Sequence, residues 1–237
     1  MQKDAQSKNN LVLTIQPHGG SDPGAVNGLR QEKNDNLRLA LAVRDNLQAQ
    51  GQRVVMTRST DVYVPLEERS AISNSNNADI FVSLHRNFNA NTAANGVDTF
   101  VQIDSLPVNT TNAFNVQDEI VSVGVQNNLG VKQANFAVLR NTQAPAMLVE
   151  MGFISNAMDN QLFDQNFDAY ATAIARGIMK SLSGSGTPST YFYYIVQSGD
   201  TLWQISQRFG TTVDAIMSLN NLTSTNIPPG MILRIPS

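Results

Sequence analysis

Upstream of residue 181, short apolar runs alternate with longer amphipathic stretches. Leu11 to Ile15 and Arg53 to Thr57 read as buried strands, as do Asp79 to His85, Gly96 to Ile103, Asn135 to Leu139 and Ala146 to Glu150. Between them the apolar spacing lengthens to that of a helix. Asn34 or Asp35 caps a helix carrying Leu37, Ala40, Leu41 and Leu47 on one side, and Gly51 stops it. Pro65 opens another through Leu66, Arg69 and Ile72, and a weaker pattern runs from about Thr111 to Asn128. Phe163, Phe167, Tyr170, Ala171, Ile174 and Ile178 share one face of a last helix. Strands alternating with helices predict an α/β fold, a layered sheet with helices on its faces.

The pattern breaks at S-L-S-G-S-G-T-P-S-T, residues 181–190, which is small, polar and without period, as a flexible linker is. The predicted division is a first domain over 1–182, a linker over 183–190 and a second domain over 191–237. In the second, Tyr194 to Val196 reads as a strand and Gly199 as a turn. Asp200 or Thr201 then caps a helix with Leu202, Ile205 and Phe209 on one face. A second helix with Val213, Ile216 and Leu219 precedes a strand from Met231 to Ile235, so the order is strand, helix, helix, strand. Trp203, the only tryptophan, is either a core filler or a platform for stacking a sugar, and its helical position favours the core.

Composition narrows the chemistry. The chain has 237 residues, with 16 Lys and Arg against 19 Asp and Glu, a net charge of −3. That leaves no cationic excess for nucleic acid or an anionic membrane, so neither is an expected partner. Charged residues make up 15% of the chain, below the usual quarter, and Asn, Gln, Ser and Thr replace them in a surface suited to sugars. The absence of cysteine excludes a disulfide framework, a thiolate metal site and a cysteine nucleophile. The first ten residues carry no apolar run, and Leu11 to Ile15 is too short for a signal peptide or a membrane span. The expectation is a protein released by lysis, or one whose signal has been trimmed.

The chain has only two histidines. His18 follows the first strand in P-H-G-G, and His85 ends the strand D-I-F-V-S-L-H. Glu150 ends another apolar strand, A-M-L-V-E-M-G-F, where burying a carboxylate without a partner is costly. Ligands gather at the carboxyl ends of strands in open α/β sheets, so these groups are candidates to converge there. Glu32, in L-R-Q-E-K-N-D, is a fourth. Two His and one Glu suit zinc with a position open for water, and a second carboxylate, Glu150, would then move the proton. The spacing matches no short metal motif, and each residue alone also fits a structural role, Glu150 as a buried carboxylate paired with an arginine.

The motifs carry a resemblance. H-G-G-S-D-P-G-A at His18 to Ala25, E-K-N-D-N-L at Glu32, V-V-M-T-R-S-T-D with L-E-E-R-S-A-I, S-L-H-R-N at Ser83 to Asn87 and V-E-M-G-F-I-S-N at Val149 to Asn156 resemble the zinc-dependent N-acetylmuramoyl-L-alanine amidases, from Leu11 to about Leu182. The resemblance implies a mixed sheet flanked by helices, one catalytic Zn²⁺ held by His18, Glu32 and His85, and Glu150 as the catalytic carboxylate. It also implies hydrolysis of the amide between the lactyl group of MurNAc and L-Ala of the stem peptide. Two departures stand at the first ligand: Pro17 replaces a glycine, and the family's aspartate in that loop is absent. The short segment after Ile103 leaves little room for the inhibitory insertion of some relatives, so the site is expected to be open. Arg86 and Asn87 are candidate glycan or peptide contacts, with a structural arginine as the alternative, whereas Arg58 and Arg69 are expected to hold loops.

Residues 193–237, with S-G-D-T-L-W-Q-I and L-N-N-L, resemble a LysM domain. That implies a βααβ module binding peptidoglycan or chitin through Gly199, Asp200, Thr201 and Leu202 on one side and Asn226, Ile227 and Pro228 on the other. Together the two halves imply a cell-wall hydrolase of the endolysin, sporulation or autolysin kind. The competing readings are a zinc peptidase acting on stem peptides and a glycan-binding wall protein whose catalytic domain is silent.

Overall fold

The computed structural model describes residues 10–15, 17–103, 105–183 and 191–236. Its first strand, β1 (Leu11–Ile15), is followed by a two-residue ribbon, β2 (Val26–Asn27) and β3 (Arg30–Gln31), and by α1 (Glu32–Ala49). Then come β4 (Arg53–Met56), α2 (Leu66–Ser75), β5 (Ile80–Asn87), β6 (Val97–Val101) and α3 (Pro107–Ser122). The domain finishes with β7 (Asn128–Gln133), α4 (Ala137–Arg140), β8 (Ala146–Phe153), α5 (Ala157–Gln165) and α6 (Phe167–Ser183).

Six strands form one mixed sheet in the order β4-β1-β5-β8-β6-β7. The first four are parallel, β6 runs antiparallel to β8, and β7 is parallel to β6. Because side chains alternate across a strand, the apolar run of β5 feeds two cores. Ile80, Val82 and Leu84 join Met147 and Val149 of β8 in the larger cluster, against Leu39 and Val43 of α1, Val116 and Ile120 of α3, and Ile174 of α6. Phe81 joins Leu13, Ala146 and Leu148 in a smaller one, against Val138 and Leu139 of α4 and Ile72 of α2. Helices therefore cover both faces, as predicted.

Several local expectations shift. Helix α1 starts at Glu32 with Gln31 at its N-cap and no side-chain cap, so Glu32 sits in the first turn and neither Asn34 nor Asp35 is the cap. The strand expected at Asn135 to Leu139 is instead the turn of helix α4, and the edge strand is β7, six to seven residues earlier. The pattern read from Thr111 to Asn128 is α3, which opens on Pro107, where the missing N–H costs nothing. The last helix is two, α5 and α6, with Asn156 capping α5 through bonds from the Met158 and Asp159 amides.

The second domain has strands β9 (Tyr191–Ile195) and β10 (Ile232–Pro236), paired antiparallel, with α7 (Leu202–Arg208) and α8 (Val213–Asn220) between them. Thr201 and Gln204 form a reciprocal capping box at the start of α7, and Thr212 caps α8. Tyr194, Leu202, Ile205, Ile216, Leu233 and Ile235 make its core. Trp203 is not in it: the residue is 65% exposed, which removes the core-filler reading. Of the predicted linker, Ser183 closes α6 and residues 184–190 lie outside the described residues. Among the described residues no helix is long and apolar enough to cross a membrane.

Candidate metal centre

His18 occupies a turn that only this local sequence permits. Its φ is +64°, and Gly19 and Asp22 exchange backbone hydrogen bonds of 2.7 and 3.0 Å to close the loop. A Cβ on Gly19 would lie 2.2 Å from the Val62 carbonyl oxygen, and one on Gly24 would lie 2.7 Å from both Glu32 Oε2 and the His18 ring. Both glycines are therefore required for the loop to close over the helix start. Asp22 Oδ2 lies 2.8 Å from His18 Nδ1, and its other oxygen accepts from the Gly24 amide. With Nδ1–H donating to Asp22, the lone pair of His18 is on Nε2, 3.3 Å from Glu32 Oε2. The aspartate expected ahead of His18 is absent, and Asp22, inside S-D-P-G-A, orients the imidazole from the other side of the histidine.

Glu32 is 4% exposed. Its Oε2 accepts from the Ala25 amide at 2.9 Å and its Oε1 from Asn36 Nδ2 at 3.0 Å, with His85 Nδ1 also 3.0 Å away. Burial alone would raise its pKa, but the His85 hydrogen bond, the two imidazoles and the Ala25 amide outweigh it and bring the value to about 2. His85 places its other nitrogen 3.1 Å from Ser83 Oγ, and burial holds its pKa below the usual imidazole value. One nitrogen or oxygen from each of His18, Glu32 and His85 lies within 4.8 Å of the others. Zinc bonds of about 2.0–2.1 Å in a tetrahedron set ligand atoms roughly 3.3 Å apart. His85 Nδ1 is 3.0 Å from Glu32 Oε1 and His18 Nε2 is 3.3 Å from Glu32 Oε2, so each imidazole is at that spacing from one of the two carboxylate oxygens. Neutral nitrogens, one anionic oxygen and a hydrogen-bonded partner behind each imidazole are the donor set zinc takes.

Glu150 sits beside this group by strand register: it is directly opposite His85 on β5 and opposite Asp98 on β6. Its Oε2 is buried with no hydrogen-bond partner, and so is Oδ1 of Asp98. Burial first, then the nearby charges of Glu32 and Asp98, push the Glu150 pKa well above the ordinary carboxylate value, against a smaller pull from Arg86. A carboxyl held in that condition beside a metal site is suited to carry a proton. Asp98, missed in the sequence reading, is 2% exposed and bound through Oδ2 to Lys132 Nζ at 2.7 Å.

Arg86 is not available as a substrate contact. Alternation along β5 turns it to the face opposite His85, where its side chain is fully buried. It donates to Asp35 Oδ2 and Asn160 Oδ1 at 2.7 Å each and lies 4.2 Å over the Phe163 ring. The structural alternative therefore stands for Arg86, and its bonds leave Glu150 with no arginine hydrogen bond. Asn87 is half-buried on the same side of β5 as His85. Arg58 binds the Lys33 and Thr60 carbonyls and Arg69 the Val64 carbonyl, so both hold loops.

In the second domain, Gly199, Thr201, Asn226 and Pro228 are exposed. Leu202 and Ile227 are 2% and 8% exposed core residues, which corrects their assignment as glycan contacts. Asp200 spends one oxygen on the Tyr194 hydroxyl at 2.6 Å and the Gln197 amide at 2.8 Å, fixing the turn.

A family model described as N-acetylmuramoyl-L-alanine amidase matches residues 12–180, and a LysM domain model matches residues 194–236. The chain is 34% identical over 190 residues to a sporulation-specific N-acetylmuramoyl-L-alanine amidase of Bacillus subtilis (strain 168), covering 78% of this chain and 73% of that protein. It is 38% identical over 177 residues to the N-acetylmuramoyl-L-alanine amidase CwlM of Bacillus licheniformis, covering 73% of this chain and 68% of that one. Among solved structures it is similar to an N-acetylmuramoyl-L-alanine amidase from Clostridium difficile 630, with a TM-score of 0.72 at 32% identity over 76% of this chain and 100% of the other.

Proposed function

The chain belongs to the N-acetylmuramoyl-L-alanine amidase family and carries a LysM domain, and from that premise we propose that it uses zinc to cut the amide between the MurNAc lactyl group and L-Ala of the stem peptide. It is a peptidoglycan amidase with a wall-binding module. The observation that supports the finer reading is the convergence of His18, Glu32 and His85 beside a carboxyl, Glu150, with an unpartnered buried oxygen. The proposed division is a catalytic domain over 1–182, a linker over 183–190 and a LysM domain over 191–237.

His18, through Nε2, His85, through Nδ1, and one oxygen of Glu32 would hold the metal. Zinc in such a site acts as a Lewis acid on the amide carbonyl and lowers the pKa of a water. Asp22 and Ser83 fix the orientation of the two imidazoles from behind. Glu150 accepts the proton of the attacking water and returns it to the departing nitrogen, so that the amine leaves neutral. Glycan strands bind the LysM domain through the exposed Gly199, Thr201, Asn226 and Pro228, and Trp203 offers an exposed ring for stacking.

Mass spectrometry of products released from purified peptidoglycan, with and without a chelator, tests the reading. Intact stem peptides beginning at L-Ala, released only without chelator, are expected. Fragments cut inside the stem would make the chain a zinc peptidase, and binding without release would make it a silent wall protein.

A further inference from the structure

The two domains are not merely joined; they touch along one seam. Tyr193 of β9 lies against Phe114 of α3 with ring centroids 4.0 Å apart, and Ile195 belongs to the larger core cluster of the catalytic domain. Gln197 Nε2 donates to Gln133 Oε1 of β7 at 2.9 Å and to the Ile195 carbonyl at 2.6 Å. Between Val131–Gln133 of the first domain and Ile195–Ser198 and Pro229–Gly230 of the second is a crevice of about 280 Å³. That is close to the lower end of the range for small-molecule sites, roughly 300–1,000 Å³.

The lining specifies what could fill it. Val131, Ile195 and Pro229 make an apolar floor, and Gln133, Gln197 and Ser198 make a polar rim. The single charged residue of the lining, Lys132, has its ammonium bound to Asp98 Oδ2 at 2.7 Å, so the crevice presents no free charge to an anion. The glutamine pair shares one hydrogen bond. It leaves Gln133 Nε2 as a donor and Gln197 Oε1 as an acceptor with no protein partner among the described residues. A neighbouring donor and acceptor are complementary to a secondary amide, which carries one carbonyl and one N–H. An apolar floor under such a pair suits an uncharged ring with an acetamido substituent.

The geometry points to a saccharide subsite at this seam, built from both domains and taking an N-acetylated hexosamine of the same glycan strand that the LysM domain holds. This deepens the peptidoglycan reading and rests on it. Gln133 stands on the edge strand paired with Val101, on the sheet face of Val131 and opposite the face that carries Glu150 and His85. The subsite would hold the glycan against the edge of the catalytic domain, on the far side of the sheet from the candidate metal centre.

The test uses the full chain with the hexamer of N-acetylglucosamine, which has no scissile lactyl amide. On titration, the side-chain amide NMR signals of Gln133 and Gln197 are expected to shift. Gln133→Ala and the crevice-filling Ser198→Tyr are each expected to weaken binding by roughly 3- to 10-fold, the range for one lost amide hydrogen bond. Ser198 is exposed and Gln133 half-buried, so both variants should keep the parent melting temperature. Unshifted Gln133 signals at saturating hexamer, or parental affinity in both folded variants, would overturn the subsite. Hydrolysis of a small soluble muropeptide, expected to be unchanged in both variants, reports separately on the amidase reading.

Discussion

Replacing Arg86 with methionine separates a structural cation from a substrate contact. The guanidinium is fully buried and ties β5 to α1 and α5: one nitrogen to Asp35, another to Asn160, with Phe163 beneath. Removing one partner of a buried ion pair costs about 3–5 kcal/mol, because the other charge is left behind. Asp35 keeps a second cation, with Arg30 Nε at 2.6 Å, so it is not orphaned. Asn160 Oδ1 does lose its donor, at about 1–3 kcal/mol for an unsatisfied buried acceptor. Methionine refills most of the volume, which places the net loss near 3 kcal/mol, at the lower end of that range. For a domain of about 170 residues, at 2–4 °C per kcal/mol, the melting temperature should fall by about 6–12 °C. The assay is a thermal melt paired with muropeptide kinetics at a temperature where the variant is folded. KM should be unchanged within about twofold, since the Arg86 side chain is fully buried. A melting temperature within about 2 °C of the parent, together with a KM raised about tenfold, would refute the burial argument and return Arg86 to the cleft.

Three further outcomes follow from the site. Glu150→Gln should retain zinc at parental stoichiometry and lose about 10²- to 10⁴-fold in kcat, so loss of zinc by elemental analysis would contradict its placement outside the ligand set. Asp98→Asn removes a negative neighbour that raises the Glu150 pKa. Glu150 must be ionised to accept a proton, so activity rises with pH through its pKa, and the variant's rising limb should move to lower pH; a limb moved upward would sink the idea. Asp22→Ala strips the partner from His18 Nδ1 and should weaken zinc affinity by about 10- to 100-fold in a chelator competition, with unchanged affinity counting against Asp22 as the orienting group.

How much of this was legible depends on whether the relevant contact is local. His18, Glu32, His85 and Glu150 could be named because each lies in a recognisable segment, and the helices could be placed because their apolar faces repeat. Some errors broke rules the sequence itself contains. In S-L-H-R-N, alternation puts Arg86 opposite His85 once the segment is read as a strand. In T-L-W-Q-I, the helical period that makes Leu202 and Ile205 core residues turns Trp203 about 100° off that face and withdraws Leu202 from the glycan. The edge strand β7 was missed for a physical reason: Gly130, Lys132 and Gln133 interrupt its apolar alternation, and an edge needs little of it. Asp98 is different in kind. Its pairing with Glu150 is set by the register of β6 against β8, which no local pattern encodes, and only the strand registers show Glu150 placed between the His85 imidazole and a second buried acid. The candidate residues can thus be read from segments, whereas the environment that raises the Glu150 pKa arises from how two distant strands align.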